Sequence, residues 1–340
     1  MGDEISAADR AAVRRAENPW TILRHDGWAV LKATWTDSGT DNISLIAAGT
    51  AFWGFAALAP MLAATVLAYG IFATSETVSA NIQGLFGVLP RDAASLIADQ
   101  LAGVVKTSGE KKGWGFALAL ALAIYGGTQG ASALMTALNV AYEERETRSF
   151  FRLYLVAFAI TGAAVLLALG AAASTTLATM ISGWLPHVPE IVLTAIRLAS
   201  YLLLGGLAVS AAALLYRFGP DRAHAKWVWL TPGSLIATAL WLLATGAFAF
   251  YAARFGNYGA TYGSLSAVVV LLFWLWLSAY VFLLGAELNS QLERRTAKDT
   301  TTGPPAPPGE RGAAVADHAG SDVPSPEIRD ALADDAEVKG

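Results

Sequence analysis

Six long hydrophobic stretches alternate with shorter polar segments along the chain. The stretches cover residues 44–72, 114–141, 153–181, 191–218, 229–253 and 264–292. Each exceeds the roughly 20 apolar residues that a helix needs to cross a hydrocarbon core about 30 Å thick. Because nothing in that core can hydrogen-bond an unpaired backbone, a spanning segment has to be helical. The pattern therefore predicts an all-α polytopic membrane protein, with a bundle of six transmembrane helices over residues 44–295.

Two amphipathic segments accompany the predicted spans. Within residues 1–43, Trp20, Trp28 and Trp35 recur on one helical face beside basic residues. This predicts an N-terminal helix that lies in the membrane interface, and an ordinary packed amphipathic helix is the alternative. In the first loop, the apolar residues of 92–106 also fall on a single face, which predicts an external amphipathic helix.

The basic residues lie mostly on one side of the predicted bundle. Fourteen arginines and lysines flank the spans on the side of both termini, and five lie on the opposite side. By the positive-inside rule, both termini are expected in the cytoplasm, as in a multi-pass protein of a bacterial inner membrane. Residues 296–340 are rich in proline, glycine and acidic residues, so they are predicted to form a disordered acidic cytoplasmic tail.

The overall composition argues against several classes of function. Of the 340 residues, 55% are hydrophobic and 15% are charged, whereas soluble domains carry about 25% charged residues. The chain has no cysteine, and its four histidines are far apart in the sequence. Neither a thiolate nucleophile nor a metal or other cofactor site is therefore expected. The sequence has no large basic surface, so nucleic-acid binding is not expected either.

Residues 123–148, AIYGGTQGASALMTALNVAYEERETR, begin with small and polar residues inside a predicted span. Gly126, Gly127 and Gly130 are spaced for close helix packing, because lipid is as apolar as leucine and spans associate through close contact. Gln129 falls near mid-membrane, where an amide needs a partner or a wet cavity. Two roles stay open for Gln129: an interhelical hydrogen bond and a place on a transport pathway.

Further polar residues gather at the predicted cytoplasmic ends of the spans. Glu287 lies in the sixth span among leucines, and a buried carboxylate is better paired than alone. We expect Glu287 to pair with an arginine and to close the inner mouth, or else to lie exposed in the interface. The polar candidates at this level are Asn139, Arg145, Arg148, Arg152, Arg217 and Asn289.

Two residues stand out within other spans. Arg197, in the fourth span, is expected to extend its charge to the external surface, with an external anion site as the alternative. Pro60, in the first span, removes a helical hydrogen bond and is predicted to kink the helix. Broken helices often occur at transport sites, although a single proline is weak evidence for one.

Four segments resemble the YihY/BrkB family of bacterial inner-membrane proteins. They are DNISLIAAGTAFWGFAALAPML at 41–62, ALMTALNVAYEERETRSFFR at 133–152, LLYRFGPDR at 214–222 and YGSLSAVVVLLFWLWLSAYVFLLGAELN at 262–289. The resemblance implies a six-span inner-membrane protein with both termini in the cytoplasm. Members carry labels such as virulence or serum-resistance factor, candidate transporter and ribonuclease BN.

Three functions are weighed on these patterns. A permease for a small solute or a lipid-like molecule is preferred, on the strength of Gln129, Pro60 and the polar inner mouth. A non-transporting protein that supports envelope integrity is the alternative. A membrane-bound ribonuclease is least favoured, because the sequence has no clustered His and Asp ligands and no readable acid–base pair. We therefore expect no enzyme, and the lipid bilayer is the partner that the sequence implies.

Overall fold

The structure is a computed structural model that describes residues 7–70, 114–163, 190–255 and 266–318, together with residues 166 and 170. Its elements, in chain order, are the helices α1 (Ala7–Arg14), α2 (Pro19–Thr40), α3 (Ile43–Gly70), α4 (Trp114–Ala141), α5 (Phe150–Ala163), α6 (Glu190–Phe218), α7 (Trp227–Phe255), α8 (Ser266–Arg295) and α9 (Ala314–Asp317). The predicted external helix at 92–106 lies outside the described residues.

All the regular elements in these ranges are helical, as the hydrophobic pattern predicts. The β contact that the described residues do make is an isolated bridge between Ala225 and Thr301. Helices α3 to α8 each overlap one of the six predicted hydrophobic stretches, and the third of these stretches is described continuously as far as Ala163. The all-α fold class is therefore confirmed for the part of the chain that is described.

Two helices are long and apolar enough to cross a membrane by length and composition. They are Trp227–Tyr251, within α7, and Val268–Arg295, within α8. Shorter apolar helices occupy Ile43–Leu58, Phe150–Ala163 and Leu202–Phe218. The crossing of a bilayer by all six predicted spans stays a prediction.

Helix α8 is the centre of the described bundle. It packs against α2, α3, α4 and α7, and α3 in turn packs along α4. Met135 and Leu138 of α4, Tyr216 of α6 and Leu283 of α8 are fully buried in this region. Because so many elements meet α8, its side chains set the positions of groups on several neighbours.

Helices α7 and α8 touch backbone to backbone where two glycines face each other. A Cβ added to Gly233 would collide with the carbonyl oxygen of Gly285, and one added to Gly285 would lie 2.6 Å from the Ala237 Cβ. A larger side chain at either position would therefore push the helices apart. Close contact of this kind holds helices together in a membrane, where burial from water is not available to do so.

A proline in α7 adjoins this contact. Pro232 lies inside the helix and has no N–H, so the carbonyl of Val228, one turn earlier, loses its usual helical donor. The Thr231 hydroxyl donates to that carbonyl at 2.8 Å. The side chain next to the proline thus restores the hydrogen bond that the proline removes.

Helix α2 has two different faces. Asn18 caps its start, and the inner face packs on α8. The buried residues of the inner face are spaced one turn apart and are Ile22, Asp26, Val30, Thr34 and Ser38. On the outer face, Trp28 and Trp35 are 78% and 68% exposed. The outward tryptophans fit the predicted interfacial helix, and its position in a membrane stays a prediction.

The segment that follows α8 differs from the prediction of a disordered tail. In residues 296–318, the Ala297 N–H donates to the Arg14 carbonyl at 2.9 Å, which joins the segment to α1. Arg311 is 6% exposed and donates to the carbonyls of Ala297 and Ala316. The segment is ordered there although it has few apolar residues.

The physical reason is that hydrogen bonds to backbone groups, rather than an apolar core, hold the segment. Its backbone pairs with the loop between α6 and α7, where Lys226 N–H donates to Thr300 and Thr302 N–H donates to His224, both at 2.8 Å. Composition measures apolar content and does not register such pairing. Residues 319–340 lie outside the described residues, so disorder stays a prediction for them.

Replacement of Gly233 by alanine tests the α7–α8 contact. We expect Gly233→Ala to cost on the order of 1–3 kcal/mol, because overpacking forces the backbones apart. Gly246→Ala in the same helix is the control, because an added Cβ there meets nothing within 4 Å. Alanine is favoured over glycine in helices by about 1 kcal/mol, so the control should be at least as stable as wild type. Thermal unfolding in detergent, followed by tryptophan fluorescence, measures both, and equal melting temperatures would contradict the contact.

Candidate functional site

Polar side chains are concentrated at one end of the bundle, which we call the polar end. It is formed by the C-terminal ends of α4, α6 and α8, the N-terminal end of α7, the loops at 142–149 and 219–226, and residues 296–318. Helix α1 lies at the same end, because Thr296 donates to the Ala16 carbonyl at 2.7 Å. The N-terminal and C-terminal segments that the structure describes therefore lie together.

Asn289 joins α8 to α7 beside the Gly233–Gly285 contact. Its side chain is fully buried, and its Oδ1 accepts from the Gly233 N–H at 2.8 Å. Its Nδ2 donates to the Leu230 carbonyl at 3.4 Å and faces the Tyr142 hydroxyl at 3.5 Å. One amide thus binds backbone groups on both sides of Pro232, where the regular helical pattern is interrupted. Asn289, a candidate from the sequence, has a structural place at the helix contact.

Arg222 and Glu293 form a buried ion pair that the sequence analysis did not identify. Their side chains are 2% and 0% exposed, and Arg222 Nη2 lies 2.6 Å from Glu293 Oε2. The same carboxylate accepts from Thr300 at 2.7 Å. Burial alone would lower the pKa of Arg222, but the charge and hydrogen bonds of Glu293 outweigh it and raise that pKa. Arg222 therefore retains its charge, and the pair links the α6–α7 loop to α8.

Asn139 links the two loops of the polar end. It is 4% exposed, donates to Glu146 at 2.9 Å and accepts from the Asp221 N–H at 2.7 Å. Arg148 binds the Glu146 carboxylate and donates to the Gly219 carbonyl at 2.9 Å. These hydrogen bonds from Arg148 and Asn139 overcome the effect of burial and lower the pKa of Glu146.

The structure brings four carboxyl groups together where the turn between α2 and α3 meets α8. Glu287 is 1% exposed and shares a hydrogen bond with Asp41. Asp37 accepts from Gln291 at 2.6 Å, and Glu143 pairs with Arg294. Asn42, at φ 52°, makes the sharp turn that carries Asp41 to this position, and asparagine tolerates this left-handed backbone better than most residues.

The expected pairing of Glu287 with an arginine is wrong. Among the residues that the structure describes, no arginine forms a salt bridge with Glu287, and its Oε1 has no hydrogen-bond partner. The candidate arginines have other positions: Arg148 binds Glu146, and Arg217 donates to the Ala225 carbonyl and lies over the Trp227 ring. Arg145 is exposed, although it too makes a contact.

Burial changes the acidity of the carboxyl groups on the α2 side. It raises the pKa of Asp41 to about 6, with a further contribution from the negative charge of Glu143. It also raises the pKa of Asp37, although Arg294 opposes that change. Within the described ranges, no group of three His, Cys, Asp or Glu residues could hold a metal ion.

The remaining candidates in α4 lie against neighbouring helices. A Cβ added to Gly127 would lie 2.6 Å from Thr161, and one added to Gly130 would lie 3.2 Å from the Ala57 Cβ of α3. Gln129 between them is half-buried. Gly126 belongs to the same helix. Pro60 lies within α3 and Arg197 lies within α6. The side chains of these two residues are outside the described part.

A cleft of about 470 Å³ opens between α2, α3 and α8. Its lining residues are Trp35, Ser38, Gly39, Asn42, Ser44, Leu45, Ala48, Trp276 and Tyr280. Trp276 stacks on Tyr280 with ring centres 5.7 Å apart, and its indole N–H donates to the Ser44 carbonyl at 3.1 Å. Aromatic walls with hydroxyl and amide groups at the rim can receive a molecule that is partly apolar and partly polar.

Comparison with known proteins identifies the family. The family model described as Virulence factor BrkB matches residues 34–310. The chain belongs to the BrkB family. The predicted resemblance is thereby confirmed, and the match includes the cleft, Asp41, Glu287 and Arg222 of the polar end. Membership also establishes the chain as a membrane protein.

The relatives carry names that describe location more than activity. A UPF0761 membrane protein of Aeromonas salmonicida is 26% identical over 279 residues, which are 80% of this chain and 91% of that protein. A Bacillus subtilis protein named as ribonuclease-like is 29% identical over 196 residues, 56% of this chain and 70% of that protein. A UPF0761 membrane protein of Tolumonas auensis is 35% identical over 124 residues, 35% of this chain and 39% of that protein. No solved structure gives a significant match.

Removal of one partner tests the buried ion pair of the polar end. Arg222→Met is expected to cost about 3–5 kcal/mol, because it leaves the Glu293 charge buried without a counter-ion. The double variant Arg222→Met/Glu293→Gln should recover much of that loss, since no buried charge remains. Lys298→Met is the control, because its pair with Glu17 has side chains 53% and 79% exposed and should contribute at most about 1 kcal/mol. Equal losses for Arg222→Met and Lys298→Met in thermal unfolding would contradict the assignment.

Proposed function

We propose that this BrkB-family protein is a six-span inner-membrane permease for a lipid-like amphiphile. The observation that carries the proposal is the cleft between α2, α3 and α8, with its aromatic walls and polar rim. Trp276 and Tyr280 offer flat apolar surfaces, while Ser38 and Asn42 offer hydrogen-bonding groups beside them. Aromatic residues with this combination are favoured at membrane interfaces, where one part of a molecule is apolar and the other is hydrated.

The outer face of α2 supports a lipid-like substrate over a small hydrophilic one. Trp28, Leu31 and Trp35 are exposed on that face, and Trp35 also lines the cleft. If α2 lies in the interface, these side chains contact lipid. A molecule that moves along this face reaches the cleft without crossing open water. Its apolar part is then accommodated by the aromatic walls.

Charge and the position of the terminal segments support an orientation with both termini in the cytoplasm. The positive-inside rule assigns the side with fourteen basic residues to the cytoplasm. The described N-terminal and C-terminal segments share the polar end, which agrees with an even number of crossings. The cleft and the polar end then belong to the cytoplasmic half of the protein.

A non-transporting envelope protein is the second candidate. Two observations favour it. Gly127 and Gly130, on either side of Gln129, pack closely against neighbouring helices, and Gln129 is not among the residues that line the cleft. On that account Gln129 serves helix association alone. The ribonuclease-like name stays with the Bacillus relative, and the absence of enzymatic activity stays a prediction from the sequence.

Lipid movement in proteoliposomes tests the permease. Fluorescent phosphatidylethanolamine or phosphatidylglycerol is placed in both leaflets, and dithionite, which cannot cross the membrane, quenches the outer one. We expect wild type to bring inner-leaflet lipid to the outside faster than protein-free vesicles do. Gly39→Phe should slow this by about tenfold or more, the factor that 1.4 kcal/mol produces, because Gly39 lines the cleft and a Cβ there meets nothing within 4 Å.

Gly27→Phe is the matched control for the cleft variant. Gly27 is in the same helix, has the same open space around it and does not line the cleft. Transport by this variant should equal that of wild type. Wild-type vesicles that behave like protein-free ones would favour the envelope alternative for these lipids. Equal slowing by both phenylalanines would mean that the cleft is not the route.

A further inference from the structure

Glu287 is a deeply buried carboxyl group for which the described part of the chain provides no counter-ion. It is 1% exposed, and its Oε1 has no hydrogen-bond partner among the described residues. Removal of an ionised carboxylate from water costs several kcal/mol even after the protein relaxes. A buried carboxyl group without a cation is therefore held more readily in its neutral, protonated form.

The contact with Asp41 requires a proton for a second, independent reason. The two carboxyl groups share a hydrogen bond. An ionised carboxylate can only accept hydrogen bonds, so two ionised carboxylates cannot bond each other. One of the two must carry a hydrogen for the observed contact to exist. The close approach of the two carboxyl groups, together with the burial of Glu287, thus implies at least one proton between Glu287 and Asp41.

The surrounding charges favour the same state. From α2, Asp37 faces the pair and is itself bonded to the Gln291 amide. From the segment after α4, Glu143 contributes a negative charge, and the neutral Tyr142 lies nearby. From α8, Arg294 is engaged by Glu143, and Arg295 is engaged by Asp26. The arginines of this region are thus already paired, and the negative charge that remains attracts a proton.

We propose that Glu287 and Asp41 form a proton-binding site at the contact between the α2–α3 turn and α8. The proton is the ligand, and it bonds one carboxyl group to the other. Loss of the proton places two negative charges against each other in a buried contact. The α2–α3 turn then separates from α8, because repulsion replaces the hydrogen bond.

The same turn lines the cleft, which gives the proton site a further consequence. Gly39 and Asn42 lie on either side of Asp41 in the chain, and both belong to the cleft lining. Release of the proton therefore changes the shape of the cleft. This link to transport rests on the proposed function, whereas the proton site itself does not.

Infrared spectroscopy of the purified full chain in lipid nanodiscs detects the proton directly. A protonated carboxylic acid has a carbonyl band that moves in heavy water and disappears on ionisation. We expect wild type to retain such a band at neutral pH and to lose it on alkaline titration. Glu287→Gln should remove it, whereas Asp41→Asn leaves Glu287 buried and should shift the band, because the carboxyl group that shares the proton is gone. A wild-type spectrum without the band at neutral pH, or a band unchanged in both variants, would overturn the proposal.

Glu143→Gln is the control for the infrared experiment. It leaves both members of the pair in place and should therefore retain the band. Because it removes a negative charge that favours protonation, the midpoint of the alkaline titration should move to lower pH. A midpoint that stays in place or moves upward would contradict the arrangement of charges around the pair.

Stability against pH provides a second readout that also shows whether the variants fold. Burial raises the pKa of Asp41 from its ordinary 3.8 to about 6 in the folded protein. The folded state therefore binds more protons than the unfolded state between these values, and the stabilisation present at low pH is lost as pH rises through about 6. We expect the melting temperature of wild type to fall over this range. Asp41→Asn should melt cooperatively with a smaller fall, and an equal fall would count against the site.

A final comparison separates the proton site from the permease. Lipid movement is measured in proteoliposomes of wild type and Glu287→Gln across the same pH range. If the permease and the proton site are both correct, transport by wild type changes with pH and transport by the variant does not. An infrared band without lipid movement would leave the proton site standing and overturn the permease. Lipid movement without the band would do the reverse.

Discussion

The backbone contact between α7 and α8 is the constraint on which the polar end depends. Gly233 and Gly285 bring the two helices together without an intervening side chain. Asn289, one turn after Gly285, then lies close enough to bind the backbone on both sides of Pro232. These four residues therefore act together. The break in α7 at Pro232 exposes the backbone groups that Asn289 binds. The two glycines bring the helices close enough for Asn289 to reach those groups.

This contact also decides which charges are paired. With α8 held against α7, Glu293 lies beside the α6–α7 loop and is bound by Arg222. Arg148 and Arg217 are engaged by groups of the loops themselves. Arg222, Arg148 and Arg217 are thus each engaged by a group other than Glu287. The buried carboxylate is left to Asp41, and the shortage of free cations, rather than a special chemical property of Glu287, makes it a candidate for holding a proton.

Sequence patterns predicted the helices well, because twenty or more consecutive apolar residues leave few alternatives to a helix. They also located Asn139, Glu287 and Asn289 at one end of the bundle. They did not predict the partners. Asp41 is 246 residues from Glu287 in the chain, and its approach depends on the left-handed turn at Asn42. Residues 296–318 were equally hard to predict. The hydrogen bonds of Arg311 and of the backbone hold them in place, and these bonds cannot be read from amino-acid composition.

The position of Glu287 between Gly285 and Asn289 has a mechanical consequence. Both neighbours fix α8 to α7. A shift of the Glu287 backbone would break the Gly233–Gly285 contact or leave buried amide groups unpaired. Each unpaired group costs about 1–3 kcal/mol. The α2–α3 turn is held to α8 by side chains: Gln291 donates to Asp37 at 2.6 Å, while Gly39 between Asp37 and Asp41 has open space around it. We therefore expect a change in the charge of the carboxyl pair to move the turn more than it moves α8. The α2–α3 turn, which carries Asp41, also lines the cleft. Movement of this turn when the proton is bound or released would therefore change the shape of the cleft.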